Sequence, residues 1–172
     1  MSERLTDTVD FNATLGFFYG AWAVSDALMD CAIGRTLRLT HAETHIVTAG
    51  MPFGRKIALL RSLVNRGNHK NKQKIIQSIN TIQNESLRNI FAHSYLASDE
   101  KTVSFIERSH SADYWAKEHT FTMKQFGKHV AKFVAAMKDL GDALEIEHME
   151  FAVFQDAALN VKKAATSPTE PS

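Results

Sequence analysis

The sequence predicts an all-α fold of about four main helices, with a short β-hairpin inserted before the last helix. Apolar residues recur at three- and four-residue steps through most of the 172 residues, which is typical of amphipathic helices. Residues that cap helices stand where these stretches begin. The pattern becomes strand-like only between residues 101 and 122. We therefore expect one helical domain over residues 1–165 and a disordered, proline-containing tail over residues 166–172.

The first predicted helix is the longest of the early elements. It begins after Asp10 or Asn12, either of which suits an N-cap, and it ends at about Leu37. Its length makes it a main element of the core. Its apolar stripe consists of Leu15, Phe18, Trp22, Leu28, Met29, Ala32 and Ile33.

Two shorter helices follow. Thr40 and Glu43 have the spacing of a capping box, so they predict a helix that Gly50 ends. Pro52 suits the first turn of the next helix, and Gly67 is a suitable glycine at its end.

The third main helix is predicted over about residues 73–97. Residues 102–106 then form a short strand, which pairs with residues 114–122 as a hairpin. Thr122 caps a last long helix that continues to about Leu159. The buried side of the third helix consists of Ile75, Ile79, Ile82, Ile90 and Leu96.

Composition excludes several classes of protein. A hydrophobic content of 44% allows one domain with a substantial core. Cys31 is the only cysteine, so no intramolecular disulfide can form, and no apolar run approaches the roughly 18 residues of a membrane span. His41 and His45 have the i, i+4 spacing of metal ligands, but no third ligand stands near them. We expect a cytoplasmic protein that does not enter a membrane and needs no metal or cofactor.

The charges are segregated although the net charge is only +1. Residues 44–84 contain no Asp or Glu. Such a block suits the phosphate backbone of a nucleic acid, because clustered cations gain affinity by releasing counterions. It is equally typical of a solvated helix face, and both interpretations remain open from the block alone. The basic residues of this window are Arg55, Lys56, Arg61, Arg66, Lys70, Lys72 and Lys74.

The stretch from Arg88 to Tyr95, R-N-I-F-A-H-S-Y, carries the chemistry. It places an arginine, an amide and a histidine within one and a half helical turns, and these are the groups needed to cut RNA without a metal. On an ideal helix Glu85, Asn89 and His93 form one polar stripe. Arg88 and His93 are about 140° apart on such a helix, so they cannot meet at one phosphate. The spacing therefore indicates a distorted helix or a site completed by a second subunit.

The R-x4-H-x-Y pattern, with Asn directly after the Arg, resembles the HEPN superfamily of small helical ribonucleases and toxins. The resemblance implies a HEPN-like bundle of about four up-and-down helices that pairs as a two-fold homodimer, with both motifs in one cleft. It also implies a metal-independent endoribonuclease in which the 2′-hydroxyl of the RNA attacks the phosphate, acting as a toxin or as a defence or stress factor.

The resemblance also implies a role for each motif residue. His93 would act as acid or base, Arg88 would hold the phosphate, and Asn89 would orient His93 or contact phosphate. Ser94 and Tyr95 would supply hydroxyl contacts to the RNA, together with the basic block. In some members a partner nucleotidyltransferase, which serves as the antitoxin, adenylylates the motif tyrosine. Tyr95 is therefore also a candidate modification site.

A second hypothesis stays open beside this one. A HEPN-like module without catalysis would bind RNA, a nucleotide or a partner protein. Arg88 and Glu85 would then form a surface ion pair, His93 would be a half-buried structural histidine, and Tyr95 would be a core aromatic. The presence of both Arg88 and His93 favours catalysis, because a binding module does not require the histidine.

Overall fold

The computed structural model describes residues 2–87, 90–91, 94–98, 102–108 and 114–165. This part of the chain is mostly helical, with six helices and one three-stranded antiparallel sheet. The helical class predicted from the sequence is confirmed at this level, and the finer HEPN-like bundle stays a prediction. The elements are α1 (Ser2–Leu37), α2 (His41–Thr48), α3 (Phe53–Arg66), α4 (Lys72–Ser86), β1 (Tyr95–Ser98), β2 (Thr102–Arg108), β3 (Ala116–Thr122), α5 (Met123–Ala143) and α6 (His148–Ala165).

The chain divides into two compact units. The first comprises Met1–Trp22 and Thr81–Ala135, and the second comprises Ala23–Asn80 and Ala136–Ser172. The first unit contains the sheet, and the second contains α2, α3 and α6. The single domain predicted for residues 1–165 stays a prediction, and the predicted tail lies outside the described residues.

Two helices begin at capping boxes. The sequence predicted the box at Thr40, and at Thr122 it predicted the capping residue but not the box. At α2 the Thr40 hydroxyl accepts the Glu43 N–H at 3.3 Å, and the Glu43 carboxylate accepts the Thr40 N–H at 2.8 Å. At α5 Thr122 and Gln125 exchange the same pair of bonds, at 3.2 and 2.8 Å. These side chains satisfy backbone N–H groups that a helix start leaves without partners. The predicted start of α1 is wrong, because the helix already includes the residues before Asp10.

The last predicted helix is divided into α5 and α6, so the prediction of one helix to Leu159 is wrong. Glu145 has a φ of 55°, in the left-handed region. The Ile146 N–H bonds to the Gly141 carbonyl at 2.9 Å, and the Glu145 N–H bonds to the Asp142 carbonyl at 3.1 Å. This pair of bonds is a Schellman motif, which ends helices and usually has glycine at the left-handed position. Glutamate stands there instead, so the sequence lacks the expected stop signal.

The third predicted helix, residues 73–97, is correct only in its first part. α4 ends at Ser86, and Leu87 has a φ of 36°, which a regular helix does not allow. Tyr95 begins strand β1 instead of continuing the helix. Leu96, predicted to be buried, is 51% exposed.

The predicted hairpin is confirmed, and it belongs to a larger sheet. β2 and β3 pair antiparallel, with Thr102 opposite Thr122 and Arg108 opposite Ala116. β1 adds a strand to the other side of β2, with Tyr95 opposite Ile106. β1 was not predicted, because its four residues carry no alternating pattern and its pairing with β2 is not local.

An aromatic cluster forms the core of the first unit. Phe105 of the sheet packs edge-on against Phe91 at 4.3 Å between ring centroids. Phe91 in turn packs edge-on against Phe18 of α1 at 5.0 Å and Phe126 of α5 at 5.7 Å. Aromatic pairs in this geometry gain more than their buried area alone provides. The cluster therefore ties the middle of the R-N-I-F-A-H-S-Y stretch to two helices and the sheet.

Candidate functional site

Three of the predicted site residues lie outside the described residues. They are Arg88, Asn89 and His93. Their proposed catalytic roles stay predictions. Ser94 and Tyr95 are described, as are the residues on which the stretch packs.

The backbone changes direction before the motif begins. After the positive φ of Leu87, the Phe91 N–H bonds to the Leu87 carbonyl and the Ser94 N–H bonds to the Ile90 carbonyl, both at 3.1 Å. Helical hydrogen bonds therefore resume beyond the break. The polar stripe predicted for Glu85, Asn89 and His93 assumed one straight helix, whereas α4 ends at Ser86. Asn89 and His93 lie outside the described residues, so the stripe stays a prediction.

Phe91 anchors the centre of the motif. Its side chain is buried in the aromatic cluster, and its carbonyl accepts the Tyr19 hydroxyl at 3.0 Å. Three residues later, the Ser94 hydroxyl is buried and has no hydrogen-bond partner among the described residues. Burying a hydroxyl without a hydrogen-bond partner costs free energy. Ser94, which follows the predicted catalytic histidine in the chain, is therefore a candidate for a functional contact.

Tyr95 lies at the surface beside a cation. Its side chain is 58% exposed. The guanidinium carbon of Arg108 lies 3.7 Å from the centre of the tyrosine ring, and an Arg108 Nη1–H donates to the tyrosine oxygen at 2.7 Å. Arginine stacks well on an aromatic face while it keeps further donors for other partners. The motif thus ends in an exposed tyrosine that pairs with the half-buried Arg108, and sequence reasoning found only the tyrosine.

A second polar cluster lies under the motif. His129 of α5 is only 9% exposed at its side chain, and its Nδ1 lies 2.7 Å from Glu85 Oε2. The other carboxylate oxygen of Glu85 binds the Lys132 ammonium. The His129 ring lies 5.9 Å from the Phe91 ring. Glu85 therefore connects the end of α4 with α5 next to the motif.

The protonation of His129 follows from these contacts. A carboxylate only accepts, so Nδ1 carries the proton and Nε2 of the neutral ring has a free lone pair. Nε2 is buried and has no partner among the described residues. Burial lowers the pKa of His129, and the Glu85 carboxylate opposes this shift only in part. Sequence reasoning missed His129, although a lone histidine on the apolar stripe of α5 is a signal that could have identified it.

The basic block lies in the second unit, and one of its members is not available to a ligand. Lys56 is buried, with its ammonium 2.8 Å from both Asp26 Oδ2 and Asp30 Oδ2. Burial raises the pKa of Asp30, while the Lys56 ammonium opposes the rise. This arrangement favours a structural role for Lys56 over phosphate binding.

The other basic residues of the block differ in their exposure. Arg61 is half-buried and donates to the Asn80 side chain at 2.8 Å. Lys72 is half-buried and donates to the Asn65 carbonyl. Arg55, Lys70 and Lys74 are exposed, and Lys74 lies 3.5 Å from Asp139. The exposed members keep both interpretations of the block open.

The histidine pair of α2 has packing partners. His45 Nε2 lies 2.8 Å from the Phe154 carbonyl, and its ring stacks on the Phe154 ring at 4.2 Å. His41 packs edge-on against the same ring at 5.7 Å. Within the described ranges, no group of three or more metal-ligating side chains includes either histidine.

Comparisons with known proteins identify no family. No family model, curated protein or solved structure matches the chain. In the part of the chain that the structure describes, no helix is long and apolar enough to cross a membrane. The HEPN resemblance therefore depends on the residues between Arg88 and Tyr95 alone.

Proposed function

We propose that this protein is a metal-independent endoribonuclease of HEPN type that uses Arg88, Asn89 and His93. The observation that carries the proposal is the R-N-x3-H-S-Y pattern. Two features of the structure support it. Phe91 fixes the centre of the pattern in the core, and Tyr95 ends the pattern at the surface beside a cation. A substrate can therefore reach Tyr95, which lies four residues after the anchored Phe91.

The proposed reaction takes its nucleophile from the RNA. A base removes the proton of a 2′-hydroxyl, the 2′-oxygen bonds to the adjacent phosphorus, and the bond to the 5′-oxygen breaks as an acid protonates it. His93 of one subunit acts as the base and His93 of a second subunit acts as the acid, since histidine titrates near neutral pH. Arg88 stabilises the charge on the phosphate oxygens. The products are a 2′,3′-cyclic phosphate and a free 5′-hydroxyl.

The remaining proposed partners follow from the same interpretation. RNA is the substrate, a second copy of the chain completes the cleft, and the exposed residues of the basic block guide the RNA. The biological role is that of a toxin or of a defence or stress factor. A nucleotidyltransferase antitoxin would control the enzyme by modifying the hydroxyl of Tyr95, a residue that is exposed.

The deciding experiment is cleavage of a labelled, structured RNA in excess EDTA. Wild type is compared with Arg88→Ala and His93→Ala, and DNA of the same sequence serves as a negative substrate because it lacks the 2′-hydroxyl. Arg38→Ala and His148→Ala are matched controls, since both of these side chains are exposed and lie outside the motif and the basic block. We expect cutting by wild type and by the two controls, with 2′,3′-cyclic phosphate ends.

The second candidate function is a binding module without catalysis. The pair formed by exposed Tyr95 and half-buried Arg108 favours it, because such a pair can bind a ligand without the histidine. If wild type does not cut RNA, or if all variants cut equally, the ribonuclease proposal is wrong. A module that binds RNA without cutting it would then be the better account.

A further inference from the structure

Arg108 has no carboxylate partner among the described residues, although several other cations of the chain do. Arg35, for example, binds both oxygens of Glu150 at 2.6 and 2.7 Å. Arg108 instead lies on the ring of Tyr95 and donates to its hydroxyl. A guanidinium has five N–H donors, so this contact leaves donors that no described acceptor uses.

The register of the sheet determines what surrounds this cation. Tyr95 lies opposite Ile106, and Ile106 lies opposite Glu118, so these three side chains share one face of the sheet. Arg108 is two residues beyond Ile106 on the same face, opposite the small Ala116. Apart from half-buried Ile106, the neighbours of Arg108 on this face are exposed.

The other face of the sheet is packed. Phe105 lies 6.3 Å from the Phe126 ring, and Phe121 lies 6.1 Å from it. Lys117 also belongs to this second face, because it pairs with Glu107 and alternates with Ala116 and Glu118. One face of the sheet therefore carries both the exposed ring of Tyr95 and Arg108, which has no carboxylate partner among the described residues. Tyr95 is two residues after His93 in the chain.

We propose that Arg108 and Tyr95 form a subsite for single-stranded RNA. The guanidinium binds a backbone phosphate, and the exposed part of the tyrosine ring stacks on a base. Single-stranded RNA is the favoured ligand because its splayed bases stack on tyrosine and arginine planes, whereas the bases of a duplex are already stacked. The proposal deepens the proposed function by naming the form of RNA that the site takes. Binding of RNA at this subsite can be measured without cleavage.

One acidic and one basic residue of the same sheet, Glu118 and Lys117, provide controls. Glu118 shares the face with Tyr95 and repels phosphate, so Glu118→Gln is expected to leave binding unchanged or make it tighter. Lys117 is a cation of the same sheet on the other face, and it is exposed whereas Arg108 is half-buried. Lys117→Ala therefore removes the same charge as Arg108→Ala without touching the subsite.

The test uses the full chain and a fluorescent 2′-O-methyl oligoribonucleotide of about 12 nucleotides, which has no 2′-hydroxyl to react. Anisotropy titrations at several salt concentrations give the affinity and its salt dependence. We expect Arg108→Ala to weaken binding about tenfold and to lower the slope of log affinity against log salt by about 1. Arg108→Lys should keep the slope because it keeps the charge, while it loses part of the affinity. Tyr95→Ala should weaken binding about tenfold, and Tyr95→Phe should weaken it less, because the ring still stacks.

Several results would overturn this proposal. The proposal is wrong if wild type binds no single-stranded RNA or binds only duplex RNA. It is also wrong if Arg108→Ala and Lys117→Ala weaken binding equally, which would indicate general electrostatic attraction. Circular dichroism confirms that each variant is folded, and Tyr95→Phe and Arg108→Lys test the pair with the smallest change of shape.

The outcomes also separate this proposal from the proposed function. A wild type that binds through Arg108 but never cuts RNA supports the subsite and contradicts the ribonuclease. A wild type that cuts RNA, while Arg108→Ala binds and cuts as well as wild type does, supports the ribonuclease and contradicts the subsite.

Discussion

His129 is buried between an aromatic cluster and a carboxylate. Because of this position, its protonation makes the stability of the fold depend on pH. Its ring lies 5.8 Å from Phe18 and 5.9 Å from Phe91, and its Nδ1 is bound to Glu85. Lys132 binds the same carboxylate, so its positive charge also disfavours a proton on His129. Burial is the largest effect, and it places the pKa of His129 below its ordinary value of 6.5.

We predict that the free energy of unfolding falls as the pH is lowered from 7.5 to 5.5, and that part of this fall depends on His129. In the unfolded chain His129 has its ordinary pKa and binds a proton below about 6.5, whereas the folded chain resists protonation. The stability that His129 contributes is therefore present above about pH 6.5 and is lost as the pH falls towards the lower folded pKa. Urea unfolding at both pH values measures it.

The control for this prediction is an exposed histidine. His129→Gln keeps an amide that can donate to Glu85 but does not titrate, so the variant should lose less stability than wild type between the two pH values. His148→Gln should behave as wild type does, because His148 is exposed. Equal pH dependence of wild type and His129→Gln would contradict the prediction.

Lys56 gives a second prediction about a single residue. Lys56→Met leaves the carboxylates of Asp26 and Asp30 close together without their shared cation. Breaking a buried ion pair costs about 3–5 kcal/mol, and because Asp26 is 44% exposed we expect a loss of about 2–3 kcal/mol in urea unfolding. Adding Asp30→Asn to the variant should recover part of this loss.

The comparison variant for Lys56 is Lys74→Met. Lys74 and Asp139 form an ion pair in which both side chains are about half exposed, so its removal should cost less than about 1 kcal/mol. A similar loss for both lysine variants would show that the burial of Lys56 has no special role in stability.

At the scale of elements, the end of α5 offers a way to stabilise the protein. Glu145 is exposed and holds a left-handed conformation that costs a residue with a Cβ roughly 1–2 kcal/mol. Glu145→Gly removes this cost but adds entropy to the unfolded chain, so we expect a net gain of about 0.5–1 kcal/mol. Glu145→Ala keeps the Cβ and should give no such gain. Thermal or urea unfolding of the two variants is the measurement, and a gain from both would indicate another cause.

The helix boundaries show which elements sequence reasoning can predict. The capping box at Thr40 and the cap at Thr122 were predictable, because capping depends on residues within three positions of one another in the chain. The breaks at Leu87 and Glu145 were not predictable, because neither residue favours a positive φ by itself. Packing elsewhere in the fold must maintain such conformations. Strand β1 was missed for a related reason, since it is defined by its pairing with β2.

The candidate site shows the same limit. The motif was visible in the sequence because Arg88, His93 and Tyr95 are close together in the chain. Arg108 lies 13 residues beyond Tyr95, and only the register of the sheet brings the two side chains together. His129 is on a different helix from Glu85, so their contact is also a result of the fold. The local sequence pattern identified the segment from Arg88 to Tyr95. The residues that contact this segment from distant parts of the chain were found only in the structure.

At the scale of the whole molecule, the basic residues that the proposals use belong to both compact units. The window without acidic residues belongs mostly to the second unit, while Tyr95 and Arg108 belong to the first. A net charge of +1 therefore conceals separate cationic features that would each contribute to the salt dependence of RNA binding. Removing exposed cations from each unit in turn, with the anisotropy assay described above, measures their separate contributions.

The proposed cleft is built from two subunits that each supply His93, and this makes a prediction about mixtures of wild type and an inactive variant. His93→Ala should be inactive as a homodimer. When wild type and His93→Ala are unfolded and refolded together at equal concentration, about half of the dimers should contain one subunit of each kind and about a quarter should be wild type. A mixed dimer has only one His93 in its shared cleft and therefore lacks either the acid or the base, so the mixture should keep about a quarter of the activity of the same total amount of wild type. Light scattering on the same samples should give twice the chain mass of 19.2 kDa. A mixture that keeps about half of the activity, or a wild type that cuts RNA as a monomer, would show that each chain builds its own site.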